Sequence, residues 1–185
     1  MPALSYEKFA NTVLYLLQAC PGATGKVKLV KLLYFADFGH YEQHAIPITG
    51  VDYVALPMGP VPDNFQELFD RLENDGFIRR ESRPMPGVQR AMEAFVPIGA
   101  YDEDSFTAEE LDSLARVAEA HGRKAGNALV KLSHEEAPWR FVHAGDESRN
   151  GKRIPYMLKT WVRDFPNVQD LARAQQFIDA SGLAQ

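Results

Sequence analysis

Cysteine is almost absent. Cys20 is the single one in 185 residues, so no intramolecular disulfide can form and no thiolate cluster can hold zinc, which fits a reducing, cytoplasmic setting. Beside Pro21, with no histidine near it in sequence, that thiol reads as packed and not as a nucleophile. Long apolar runs are missing as well: nothing approaches the roughly 20 residues needed to span a bilayer. The N-terminal stretch MPALSYEKFANTVLYLLQAC mixes polar and apolar residues at helical spacing, as folded protein does and a signal peptide does not. Positive charge is in deficit, with a net charge of -5 and a pI near 5.5, so the whole-chain field gives no general attraction to phosphate backbones or anionic lipid. The connection Gly22-Ala23-Thr24-Gly25 lacks the spacing of a phosphate loop and its lysine followed by Ser or Thr.

What is present, 45% hydrophobic and 24% charged residues, suits one globular domain over residues 1–185. Its densest stretch starts at Lys26. Val27, Val30, Tyr34, Phe38 and Tyr41 recur at helical spacing while Leu29, Leu32, Leu33 and Phe35 fill the gaps, which predicts a helix buried on nearly all sides. Lys26, Lys28 and Lys31 are expected on an exposed side of its first turns. Val51–Leu56 reads as a strand, and Met58-Gly59-Pro60-Val61-Pro62 as a rigid corner, since prolines remove donors and restrict their neighbours. Asp63 with Gln66 is expected to cap an acidic helix that ends at Gly76.

Around this centre the pattern predicts a helix over 5–19, capped by Ser5, and another through His121, opened by the capping box Thr107/Glu110. A short helix is expected at 125–132, and C-terminal helices over 155–181. Residues 77–83 and 88–98 form a hairpin. The predicted class is α+β, predominantly α-helical, with a small antiparallel sheet and a winged-helix-like element. As a DNA-binding repressor such an element would read bases with its second helix, yet here that helix carries Glu67, Asp70 and Glu73, and Arg71 is its sole cation. Arg79, Arg80, Arg83 and Arg90 on the hairpin are the groups left to meet phosphate, interrupted by Glu81 and Glu93.

For chemistry the candidates are few. Asp37, His40 and His44 share helical spacing and form the one weak metal candidate; the zinc-protease pattern would need Glu where Tyr41 stands. Ser133, His134 and Glu135 are adjacent on a turn, so their side chains diverge and make no catalytic trio. Asp37 lies between apolar neighbours and, if buried, needs a partner: Lys31, the hydroxyl of Tyr34 or Tyr53, or backbone donors near Gly59. With no nucleophile and base, no paired carboxylates and no metal box, neither an enzyme nor a cofactor is expected.

The segments Lys28–Asp37, Pro47-Ile48-Thr49-Gly50, Tyr53-Val54-Ala55, Gly59-Pro60-Val61-Pro62, Leu132-Ser133-His134 and Pro138-Trp139 occur in an order that resembles the Panacea-domain family, the SocA-like, phage-associated antitoxins. The resemblance spans residues 26–139. It implies a mostly helical domain with a small antiparallel sheet, in which Lys31, Tyr34, Asp37, Gly50, Gly59, Pro60, His134 and Trp139 are structural. It further implies an antitoxin that binds a cognate toxin directly, with delivery of that toxin to a protease as a further expected property. The partner surface is then expected on exposed parts, Glu67, Asp70, Glu73, Arg79 and Arg80 among them, an acidic face suiting a basic toxin.

Overall fold

A helix with no solvent face must be closed on from every side, and that requirement organises the chain. The computed structural model describes residues 4–85, 87–143 and 146–160. In chain order its elements are α1 (Tyr6–Ala19), β1 (Thr24–Gly25), α2 (Lys26–His44), β2 (Tyr53–Leu56), β3 (Gly59–Pro62), α3 (Phe65–Asn74), β4 (Ile78–Met85), β5 (Val88–Pro97), α4 (Ala108–His121), α5 (Gly126–Glu135) and α6 (Ala137–Val142). Single 3-10 turns lie at Glu103–Ser105 and Glu147–Arg149. Helix α2 has twelve of its nineteen residues buried, which leaves it no stripe to give to water. Helices α1, α4 and α5 and strand β3 pack around it.

Capping follows the side chains available. Ser5 accepts the Lys8 N–H to open α1, and Thr107 and Glu110 form the reciprocal capping box of α4. Glu110 also accepts both of its 2.9 Å contacts from Lys8, so one carboxylate caps α4 and ties it to α1. Helix α3 departs from expectation. Its N-cap is Asn64 in the left-handed region, at φ 52, with no side-chain cap bond, while the Asp63 carboxylate accepts the Asn64 N–H. Asn tolerates that conformation at low cost, and it aims the helix sharply away from β3.

The proline-rich corner is a strand. β3 pairs antiparallel with β2, from Tyr53↔Pro62 to Leu56↔Gly59, in a sheet of two strands where Pro60 and Pro62 keep their donor-less edges out of the ladder. The second sheet has the order β1-β5-β4, and its hairpin carries a bulge between Arg83 and Met85, where Pro84 stands. The order α1, β1, α2, α3, β4, β5 with β5 in the middle of its sheet is that of a winged helix. Hairpin β2–β3 is inserted where such a fold has only a turn, between α2 and α3. The fold is thus α+β and mostly helical. Among the described residues no helix is long and apolar enough to cross a membrane. The expected C-terminal helices lie, beyond residue 160, outside the described residues, as does the side chain of Arg90.

Candidate functional site

The residues singled out by the sequence motifs come together beneath the β2–β3 hairpin. Gly59 takes φ +90 and packs so closely that a β-carbon there would stand 2.5 Å from Ser133 Oγ and 3.1 Å from both Cε and Nζ of Lys31. This one glycine joins α2, the hairpin and α5. Lys31 is only 1% exposed, against the expectation of a solvated lysine, and its Nζ donates to the Pro60 carbonyl at 2.7 Å. Burial pulls its ammonium down to about 7, and among the described residues no carboxylate lies in contact with it. Lys28 is buried too; its Nζ donates at 2.6 Å to the Gly122 carbonyl, where a cation complements the end of α4. Long stems packed on the core and heads placed on carbonyls explain why lysines belong inside here.

From the other side, α5 and α6 close the cluster with stacked rings. His134 lies 3.9 Å from Trp139, and Trp139 4.7 Å from His143, ring centre to ring centre. Trp139 Nε1 donates to the Leu56 carbonyl at the tip of the hairpin. Desolvation first, then the nearby Lys31 charge, lowers the basicity of His134, whose ring is stacked on Trp139. Ser133 Oγ donates to the Val130 carbonyl, and its His134 neighbour faces Trp139.

Asp37 forms the second tie between α2 and the hairpin. It is fully buried and accepts from Thr49 N–H at 2.8 Å, Thr49 Oγ1 at 2.6 Å and Tyr53 OH at 2.8 Å. Burial pushes its carboxyl up to about 6, and these hydrogen bonds pull the other way. Tyr53 was among the expected partners; Thr49 was not. Gly50, at φ 71, makes the turn that folds Thr49 back onto the acid. Tyr34 contributes its ring, 4.5 Å from Phe38 and 5.8 Å from Tyr53, while its hydroxyl finds no partner among the described residues.

The metal candidate is not assembled. Asp37 is consumed by Thr49 and Tyr53, His40 bonds through Nδ1 to Ser113 on α4, and His44 only stacks on His40. Among the described residues no group of three potential ligands exists. The charged surface residues, by contrast, do meet. Arg80 holds Asp70 and Glu73 at 2.5 Å each and Glu93 at 3.4 Å, while Arg79 and Arg83 both hold Glu81. Arg71 lies 3.6 Å over the Tyr6 ring and pairs with Asp75. Of the arginines offered to phosphate, Arg79, Arg80 and Arg83 are therefore already engaged, and Glu67 and Asp70 stand exposed on α3.

No curated protein and no solved structure matches this chain. The buried Lys31, Asp37, Gly59, Ser133 and Trp139 all fall within residues 29–140, the span that matches the family described as Antitoxin SocA-like, Panacea domain, and the chain belongs to that family.

Proposed function

We propose that the chain neutralises a cognate toxin by binding it directly and without catalysis, and that it hands the bound toxin to a protease. One observation carries this reading: most of the family's signature side chains are buried and tie α2 and α6 to the hairpin segment, Lys31 to Pro60, Asp37 to Thr49 and Tyr53, and Trp139 to Leu56, so they hold a scaffold and leave recognition to the exposed surface. On that surface α3 offers the exposed Glu67 to a basic partner, beside Asp70 and Glu73, which Arg80 partly neutralises. The winged-helix order invites a repressor reading, but its second helix is acidic and the hairpin's Arg79, Arg80 and Arg83 are paired. Co-expression with the product of the adjacent reading frame tests the proposal. Rescue of growth together with a co-purified complex supports it; the absence of both refutes it. A promoter gel shift at two salt concentrations tests the repressor reading, which needs binding that weakens as salt rises.

A further inference from the structure

The cleft between hairpin β4–β5 and the first turns of α2 and α5 plays no part in the buried cluster. It encloses about 970 Å³. One wall is an unfinished sheet: β5 runs for ten residues, but its neighbour β1 has only Thr24 and Gly25, because the chain turns into α2 at Lys26. Residues 88–93 therefore have no strand beside them on that side among the described residues. Strand alternation identifies the groups left open. The Ile98 N–H donates to the Phe77 carbonyl across the hairpin, which assigns the even-numbered positions of β5 to β4 and turns the N–H and C=O of Ala91 and Glu93 the other way. The Glu93 carbonyl, turned the same way, faces the end of β1, 3.2 Å from where a β-carbon of Gly25 would stand, so the fully open pair is that of Ala91. Ala91 is exposed, and among the described residues no strand pairs with it on that side.

The charge of this cleft runs against that of the whole chain. Lys26, Lys28, Arg80, Arg123 and Lys124 line it with two carboxylates, Glu81 and Glu93, and both carboxylates are already held by hairpin arginines. Lys26, Arg123 and Lys124 have no carboxylate partner among the described residues. Helices α2 and α5 both begin here without a capping side chain, which adds the positive ends of two dipoles to the same wall.

We infer that this cleft takes an extended, acidic segment of a partner polypeptide as an added strand antiparallel to β5, continuing the line of β1. On the direct-binding reading, on which this inference rests, the segment belongs to the toxin. A phosphate backbone would satisfy the cations but leave the N–H and C=O of Ala91 unmade; a peptide strand uses both.

The probe is a fluorescein-labelled ten-residue peptide alternating valine and glutamate, compared by anisotropy with its valine–lysine counterpart. The acidic peptide should bind about tenfold or more tightly than the basic one, and Arg123→Glu with Lys124→Glu should reverse that order. Ala91→Pro removes an N–H that faces only the cleft, so it should abolish binding while the circular dichroism melt stays close to wild type. Equal binding of the two peptides, or acidic binding that survives both sets of substitutions, overturns the inference. Should Ala91→Pro fail to fold, the exposed Arg123/Lys124 pair still decides. A single-stranded oligonucleotide that displaces the peptide yet binds Ala91→Pro unchanged would assign the cleft to nucleic acid instead. Toxin that co-purifies equally with wild type and the charge-reversed protein refutes the cleft and leaves direct binding standing, whereas no co-purification with wild type refutes direct binding itself.

Discussion

Gly59→Ala is expected to be among the most damaging single-methyl additions in this chain, and the size of its effect follows from two separate terms. The first is conformational: at φ +90 an L-residue is strained, at about 1–2 kcal/mol. The second is steric, because the new β-carbon would stand 2.5 Å from Ser133 Oγ and 3.1 Å from Lys31 Nζ, in a region where both neighbours are buried and hydrogen-bonded. Overpacking of this kind costs about 1–3 kcal/mol. Together they amount to about 2–5 kcal/mol, or a fall in Tm of about 5–15 °C for a domain of this size. Urea unfolding followed by circular dichroism measures it, and Ser133→Ala separates the terms. Removing Oγ relieves the nearest clash but not the backbone strain, so the double variant should recover only part of the loss, with a coupling of about 1 kcal/mol or more. Gly59→Ala as stable as wild type to within about 0.5 kcal/mol, or additive single effects, would refute the close approach of the hairpin to α5.

Leu33→Asp or Phe35→Asp should unfold the domain by placing an unpaired charge inside the packing around α2, a loss of about 4 kcal/mol or more in a melt. Glu67→Lys should leave the melt within about 0.5 kcal/mol of wild type and weaken toxin capture, because the side chain it changes is exposed. The Lys31 ammonium is held near 7 in the fold against 10.5 when free, so the unfolded chain binds one more proton between those values and stability rises with pH across them. The stability of wild type relative to Lys31→Met should therefore climb by up to about 1.4 kcal/mol per pH unit from about pH 7 to 10, and a flat difference would refute the buried lysine. Asp37 acts in the opposite sense and at lower pH. Its carboxyl is raised to about 6 from 3.8, the fold keeps a proton that the unfolded chain has lost, and stability relative to Asp37→Asn should fall as pH rises through that window.

Which parts of this were legible in the sequence depends on how local their causes are. The burial of α2 was readable because an apolar surface without a polar face has one outcome, and the caps at Ser5 and Thr107 were readable because donor and acceptor lie three residues apart. The lysines were misplaced for the opposite reason. Lys28 and Lys31 are taken inside by carbonyls at Gly122 and Pro60, 94 and 29 residues away, and no helical pattern anticipates such acceptors. The Pro60–Pro62 strand hid behind its prolines, which forbid a central strand but permit an edge. No periodicity marks Thr49 as the partner of Asp37, although a Thr-Gly turn shortly after a buried acid supplies a hydroxyl and an N–H together. Of the surface candidates, Asp70, Glu73 and Arg80 do converge, but as one ion network that partly neutralises itself, and only the folded hairpin could reveal that.

On the direct-binding proposal, the inserted hairpin is what lets a winged-helix order present a face to a protein partner. In a winged helix the angle between the two central helices is set by a short turn; here β2–β3 separates them, and without further ties α3 would be free to swing. Two buried polar anchors on α2 remove that freedom: Lys31 holds Pro60, and Asp37 holds Thr49 and Tyr53. Trp139 fixes the opposite end of the hairpin through Leu56, and Gly59 lets α5 close against it. Helix α3 leaves β3 across Asp63 and the left-handed Asn64, so its direction is inherited from these contacts. The signature residues thus set the pose of α3, which lies outside their own contacts, and with it the placement of the carboxylates it carries. Loosening an anchor should weaken toxin capture even where the surface is intact, which sets Gly59→Ala apart from Glu67→Lys: the first lowers stability and capture together, the second capture alone.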